Sequence, residues 1–276
     1  MAITAKDVNK LRQMTGAGMM DCKKALVEAE GDFDKAVELL RKKGQKVSAS
    51  RADRETTEGM VVTRTSADGT KGMVITLTCE TDFVAKNEDF IALANEVADK
   101  TFEAQPADID GIKALSSGDI TLGEKIISAT GKIGEKLDIT AYEYVEGDAV
   151  VPYIHSNGKL GVLVGLVNTN GTDVTEAGKD VAMQIAAMNP VAVDKDGVDS
   201  AIIEKEIEVG KGQAREEGKP EAMIEKIAQG KLAKFFKENT LLSQTFVKDN
   251  SVNIAKYLDS VSKGLTVSNF KRISIG

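Results

Sequence analysis

The sequence predicts an α+β protein with three parts: a helical unit at the N-terminus, a mixed core and a helical arm. Apolar residues recur at helical spacing in the first 44 positions. A hairpin pattern followed by a helix pattern occurs twice, about ninety residues apart. Residues 197–238 repeat apolar side chains in steps of three and four on both sides of one break. The repeated order indicates a core of two related α+β halves with antiparallel hairpins.

Three short helices are predicted in an N-terminal domain at residues 1–44. Thr4 and Asp7 form a capping-box pattern at the first helix, and Gly31-Asp32 separates the second helix from the third. The apolar positions at helical spacing are Val8, Leu11 and Met14, then Met20, Leu26 and Ala29, then Phe33, Ala36, Val37 and Leu40. Residues 45–59 contain one large apolar residue, which predicts a linker.

The core is predicted at residues 60–149 for its first half, and at 150–196 and 239–276 for its second. Asp68-Gly69 marks the first hairpin and Ser156-Asn157-Gly158 the second, each followed by a helix pattern. In the first half a helix near 122–130, a turn at 132–135 and a strand near 137–145 follow. In the second half a last helix near 251–262 and a strand near 270–275 return to the core.

An antiparallel hairpin of coiled-coil type is predicted at residues 197–238. Gly218-Lys219-Pro220 breaks it into two helices, and Gly210 and Ala214 allow the helices to approach closely. The arm could pair two copies into a homodimer or pack within one chain.

Composition restricts the class of protein. The 276 residues include 36 Lys and Arg against 43 Asp and Glu, a net charge of -7. This balance argues against binding to phosphate backbones, so we expect no direct contact with nucleic acid. No apolar run approaches the ~20 residues that cross a bilayer, and residues 1–6 lack the pattern of a signal peptide. We therefore expect no membrane association and a cytoplasmic location.

Residues that support catalysis are scarce. His155 is the single histidine, and neither a nucleophile elbow nor a glycine-rich phosphate loop is present. One histidine and two distant cysteines are a poor set of metal ligands. We expect no enzymatic activity, no cofactor and no metal site, and hence a protein that acts on another protein.

The run Thr81-Asp82-Phe83-Val84 places two apolar residues in a connection that should be polar. Phe83 either enters a pocket of a partner or folds back as a staple toward Phe90. The spacing alone favours neither alternative.

Three motifs carry a resemblance to a known family. They are LRQMTGAGMMDCKKAL at 11–26, TDFVAKN at 81–87 and GVLV at 161–164. Their order and spacing resemble the translation elongation factor Ts family over nearly the whole chain. The resemblance implies a nucleotide exchange factor for the GTPase elongation factor Tu, in its nucleotide-free or GDP form, with a ubiquitin-associated-like (UBA-like) N-terminal domain.

The resemblance also implies roles for single residues. Thr81, Asp82, Phe83 and Val84 would enter the GTPase near its magnesium site, and burial of Phe83 would supply about 1.5 to 3 kcal/mol. Further contacts are implied for Ile133 and Gly134, for His155, and for Lys23, Lys24 and the loop at 15–18 on an N-terminal docking face. A solvated helix surface explains the lysines equally well, and a surface turn explains His155.

Two expectations remain open. Many members of the family continue into a C-terminal helix that also contacts the GTPase, whereas this sequence stops at Ile275-Gly276, so we expect that contact to be missing. The alternative function is an adaptor that binds another protein without promoting nucleotide exchange.

Overall fold

The computed structural model describes residues 3–276; Met1 and Ala2, which open the predicted N-terminal domain, lie outside the described residues. Its first elements are the helices α1 (Ala5–Thr15), α2 (Met19–Glu28) and α3 (Phe33–Ser50), followed by strands β1 (Glu58–Thr65) and β2 (Lys71–Cys79). Next come α4 (Asp82–Ala85), α5 (Glu88–Ala104), α6 (Ile109–Ala114), β3 (Ser116–Ser117), β4 (Ile120–Thr121), α7 (Leu122–Ile133) and β5 (Asp138–Glu146).

The later elements repeat the order of hairpin and helix. They are β6 (Ala149–Ile154), β7 (Leu160–Val167), α8 (Thr175–Met188), α9 (Ser200–Glu216), α10 (Glu221–Asn239), β8 (Thr245–Phe246), β9 (Asp249–Asn253), α11 (Ile254–Val261) and β10 (Thr266–Ser274). One three-stranded sheet has the order β1-β2-β5 and another the order β10-β7-β6. The hairpins β3-β4, β6-β7 and β8-β9 are antiparallel. The predicted α+β class is confirmed.

The chain divides into two compact units. The first comprises the described residues up to Val62, then Ile75–Tyr142 and Ser274–Gly276; the second comprises Thr63–Val74 and Glu143–Ile273. The five-part division into domains stays a prediction.

In the first unit, side-chain caps set where three of the helices begin, and the cap of α1 is the predicted one. Thr4 and Asp7 form a complete capping box on α1, Thr121 and Glu124 form another on α7, and Asn87 accepts the backbone N–H of Asp89 at the start of α5. Each cap satisfies backbone donors that the first turn of a helix leaves free.

Helix α3 is longer than the sequence predicted. It continues through Gly44 to Ser50, so the predicted linker at 45–59 begins as helix. Gly44 is buried against α7: a Cβ added to Gly131 would lie 2.5 Å from the Cα of Gly44. The two glycines let the backbones of α3 and α7 meet, and this packing overrides the usual tendency of glycine to end a helix.

The small N-terminal core differs from the prediction at two methionines. Its buried residues are Val8, Leu11, Cys22, Ala25, Leu26, Ala29 and Ala36. Met14 and Met20, both predicted to face inward, are 58% and 62% exposed. Two leucines, Leu11 and Leu26, with Val8 and smaller side chains fill the interior where α1, α2 and α3 meet, and both methionines lie on the surface.

The second unit has its own core, formed by the sheet β10-β7-β6 with α8 and α11. Buried Gln184 on α8 donates to the side chain of Gln244 and to the carbonyl of Thr245, and it accepts the N–H of Val247. These bonds hold the short β8-β9 hairpin, which the sequence did not predict because its strands are short and polar.

The arm consists of α9 and α10, and the predicted antiparallel pair is confirmed. Gly210 on α9 lies against Ala228 on α10. A Cβ added at Gly210 would lie only 3.2 Å from the Cα of Ala228, so a residue without a side chain lets the two helices approach closely. The two ends of the arm are joined at its base. The N–H of Val191 donates to the carbonyl of Asn239, and the N–H of Leu241 donates to the carbonyl of Ala192, each at 2.9 Å.

Candidate functional site: an anchored loop on the first unit

The run Thr81-Asp82-Phe83-Val84 connects a buried strand to a buried helix. Strand β2 is buried up to Cys79, and the thiol of Cys79 donates to the carbonyl of Thr81 at 3.2 Å. Residues 82–85 form the single helical turn α4 where the sequence predicted an irregular loop tip. The turn thus begins directly at the edge of the core.

Phe83 points into solvent. Its side chain is 82% exposed, whereas Phe90, on α5, is fully buried. The staple alternative is therefore wrong, because a staple would cover the ring of Phe83. The exposed ring of Phe83 is apolar surface available to a partner, and aromatic side chains are enriched at the centres of binding sites.

Asp82 lies beside Phe83 and is paired within the same turn. The Nζ of Lys86 donates to its carboxylate at 2.7 Å. This bond lowers the pKa of Asp82 and raises the pKa of Lys86. The carboxylate of Asp82 is therefore ionised at neutral pH. A cation of an incoming partner could replace Lys86 as its partner.

Thr81 ties α4 to the turn after α7. Its N–H donates to one carboxylate oxygen of Glu135 at 3.0 Å and its hydroxyl donates to the other at 2.7 Å. Glu135 directly follows Ile133 and Gly134, so the structure brings these two predicted contact residues beside the predicted loop. Gly134 ends α7 with φ +84, a left-handed conformation that glycine adopts without strain.

The preceding acid, Glu80, is held by cations and by the backbone. It accepts the N–H of Lys136 at 2.7 Å and the Nη1 of Arg51 at 2.8 Å. The bond from Lys136 and the charge of Arg51 lower the pKa of Glu80. Both Glu80 and Thr81 are thus fixed to the segment around residue 135.

A cleft of about 470 Å³ lies between the N-terminal helices and the helices α5 and α7. Thr15, Ala17 and Gly18 line one side, and Lys132 and Ile133 line the other. Gly16 has φ +66, and a side chain there would meet the Nζ of Lys132 at 2.8 Å. The predicted docking loop at 15–18 therefore approaches the turn that contains Ile133 and Gly134.

Helix α2 presents an exposed surface that the sequence only partly predicted. Lys23 and Lys24 are exposed as expected. Met20 and Val27 are exposed at 62% and 57%, and Met20, Lys23 and Val27 follow one another at the spacing of one helix face. The apolar part of this surface was missed because a methionine at helical spacing is more often part of a core.

His155 belongs to the second unit. It is exposed after β6, and its Nδ1 lies 2.9 Å from the hydroxyl of Tyr153. None of the helices within residues 3–276 combines the length and the apolar character needed to cross a membrane.

Exposed apolar side chains on firmly anchored turns are typical of a protein that binds other proteins. A model of the family described as Elongation factor TS matches residues 80–276. The chain is 60% identical over 274 residues to elongation factor Ts of Cytophaga hutchinsonii, with 99% of each chain covered. It is 56% identical over 276 residues to elongation factor Ts of Amoebophilus asiaticus, with 100% of each covered, and 53% identical over 275 residues to that of Christiangramia forsetii.

The matches to these relatives extend over 99% or more of the chain, and the family model begins at residue 80 and includes the loop at 81–84. The chain belongs to the elongation factor Ts family and is a translation elongation factor.

Proposed function

We propose that this chain is a guanine nucleotide exchange factor for elongation factor Tu. The single observation that carries the proposal is Phe83, 82% exposed on a turn whose two preceding residues, Glu80 and Thr81, are hydrogen-bonded to Lys136 and Glu135. Family membership supports the choice of partner. In this role the factor makes and breaks no covalent bond, and it needs no cofactor of its own.

The proposed mechanism begins with the magnesium ion of the GTPase. In such proteins Mg²⁺ bridges phosphate oxygens and is held by a few side chains and waters, so that bound GDP leaves slowly. Phe83 enters an apolar cleft of the GTPase, and Asp82 beside it disturbs the polar contacts of the metal. Weaker metal binding then weakens nucleotide binding.

Linkage gives the proposal a quantitative form. If the factor lowers the affinity of the GTPase for GDP, GDP must lower the affinity for the factor by the same ratio. The contact surface proposed for this step comprises Thr81, Asp82, Phe83 and Val84, together with Ile133, Gly134, His155 and Lys23.

A single trace tests the proposal. Fluorescent GDP is released from elongation factor Tu with and without the factor, in an excess of unlabelled nucleotide. Acceleration by substoichiometric amounts of factor is the expected result, because an exchange factor dissociates and acts again. Binding without acceleration would instead support the alternative function, an adaptor without exchange activity. If the factor neither binds nor accelerates release, elongation factor Tu is not its partner.

A further inference from the structure

The exposed turn α4 carries Phe83, the aromatic side chain proposed to enter the partner, but the turn is very short. It has four residues, and its N-cap residue Thr81 directs its hydroxyl to Glu135 instead of capping the helix. A single helical turn is unstable by itself, because nucleation fixes several residues for one hydrogen bond. Its orientation must therefore come from contacts outside α4.

Glu135 supplies such a contact across a sequence separation of 54 residues. Both of its carboxylate oxygens accept hydrogen bonds from Thr81, one from the N–H and one from the hydroxyl. Hydrogen bonds to an ionised acceptor are shorter and stronger than neutral ones. Two bonds to one residue also fix direction, which a single bond does not.

The position of Glu135 follows from the turn before it. Gly134 reverses the chain at the end of α7, so that Glu135 and Lys136 run beside Glu80 and Thr81. Glu80 accepts from the N–H of Lys136 and Thr81 donates to Glu135, so one bond runs in each direction. The turn at Ile133–Gly134 and the turn α4 are therefore held side by side by the same pair of hydrogen-bonded segments, residues 80–81 and 135–136.

We propose that Glu135 is a positioning residue for nucleotide exchange, which clamps α4 and the Ile133–Gly134 turn together so that both meet the GTPase as one preformed surface. The inference rests on the proposed function. A preformed surface loses less conformational freedom on binding, and it places Phe83 and Asp82 where small displacements matter.

The clamp is first tested in the free factor, by amide hydrogen exchange of residues 80–86. Glu135→Ala should make the Thr81 amide exchange at least about tenfold faster, since its acceptor is lost. Glu103→Ala, which removes an exposed acid on α5, is the matched control and should leave this amide unchanged. Equal exchange in Glu135→Ala and the parent would overturn the clamp, whatever the factor does to GDP release.

The second measurement is stopped-flow GDP release over a range of factor concentrations. Glu135→Ala should lower the maximal release rate by about ten- to one-hundredfold and change the half-saturating concentration less. Thr81→Val removes the hydroxyl donor and should act in the same direction, whereas Thr81→Ser keeps this donor and should lose less of the rate than Thr81→Val. The double variant Thr81→Val/Glu135→Ala should be about as slow as the slower single variant, because both lose the same contact.

The outcomes separate the two proposals. If the parent itself fails to accelerate release, the proposed function is refuted, and the amide measurement still decides the clamp. A lower melting temperature in Glu135→Ala with a parental maximal rate would show a purely structural role and overturn the inference, as would additive losses in the double variant. Should Glu135→Ala fail to fold, Thr81→Val and Thr81→Ser give the decisive comparison.

Discussion

At the scale of single residues, Phe83 and Phe90 show how one side chain type takes opposite roles seven positions apart. Phe90 is fully buried in the first unit, and Phe83 is 82% exposed. Removing each ring should therefore affect different properties of the protein.

Phe83→Ala should leave the melting temperature within about 2 °C of the parent, because the ring packs on little of its own chain. It should weaken binding to nucleotide-free elongation factor Tu by roughly 2 to 4 kcal/mol. Phe90→Ala is the control, and it should cost about 3 to 5 kcal/mol of folding stability. Calorimetric melting and binding titrations measure both. A Phe83→Ala protein that melts as low as Phe90→Ala would contradict the docking role.

A second prediction at this scale concerns Asp82 and its ion pair with Lys86. Asp82→Ala should lower the maximal GDP release rate by about tenfold, a typical coupling factor, with a smaller effect on half-saturation. Lys86→Met leaves the carboxylate of Asp82 in place and without Lys86 as its partner. With this variant, elongation factor Tu should release GDP at least as fast as with the parent factor. Stopped-flow traces at several Mg²⁺ concentrations test this pair. An equal loss in both variants would mean that the ion pair, and not the free carboxylate, is required.

At the scale of elements, the crossing of α3 and α7 packs the N-terminal helices against the rest of the first unit. The crossing depends on two residues without side chains, Gly44 and Gly131. Helix propensity alone disfavours both glycines, so their packing must compensate.

Gly131→Ala should therefore lower the free energy of unfolding by about 1 to 3 kcal/mol, because the new Cβ overlaps the backbone of α3. Gly230→Ala in α10 is the matched control: within residues 3–276, a Cβ there would meet no atom within 4 Å other than those of the adjacent residues and of its own helix backbone. It should stabilise the protein by about 0.5 to 1 kcal/mol. Urea unfolding of the two variants measures whether each substitution lowers or raises the free energy of unfolding. Stabilisation by both would show that the helices separate readily at this crossing.

Sequence reasoning predicted the elements better than it predicted their ends and contacts. Caps and turn residues are local, so the start of α1 followed from Thr4 and Asp7. The continuation of α3 through Gly44 depends on a contact with α7, which local patterns do not contain. The same holds for the site: the exposure of Phe83 was one of two open readings, and its link through Thr81 to Glu135 joins residues 54 positions apart.

At the scale of the whole molecule, the proposed contacts are distributed over both units. Lys23, the loop at 81–84 and the turn at 133–134 belong to the first unit, whereas His155 belongs to the second. Each unit also contains a weakly acidic side chain whose pKa is raised: the buried thiol of Cys79 in the first and the half-buried phenol of Tyr257 in the second. The stability of the protein therefore depends on pH in the alkaline range.

Burial raises the pKa of the Cys79 thiol to about 12, and the charges of Glu135 and Glu58 act in the same direction. Burial and a hydrogen bond to Asp180 raise the pKa of Tyr257 above its ordinary range. Above about pH 8.5 the unfolded chain loses protons that the folded protein keeps, so stability should fall as pH rises toward 12.

Urea unfolding at pH 8, 9.5 and 10.5 tests this dependence. The double variant Cys79→Ala/Tyr257→Phe lacks both groups and should lose less stability over this range than the parent, although its stability at pH 8 is lower. Identical losses in the two proteins would contradict the assignment, since lysine deprotonation affects both alike.

The closed base of the arm has a consequence for how this fold tolerates change. The chain leaves the second unit at Val191 and Ala192 and returns to it at Asn239 and Leu241, and these residues are hydrogen-bonded to each other. The unit therefore holds the two ends together whatever lies between them, and the entropy of closing a longer segment rises only slowly with its length. Whole helical turns can be added to or removed from α9 and α10, or a foreign hairpin grafted in their place, without altering the path of the chain on either side. The arm is thus an insertion site, where lineages can diverge in length and where an engineer can attach a reporter domain.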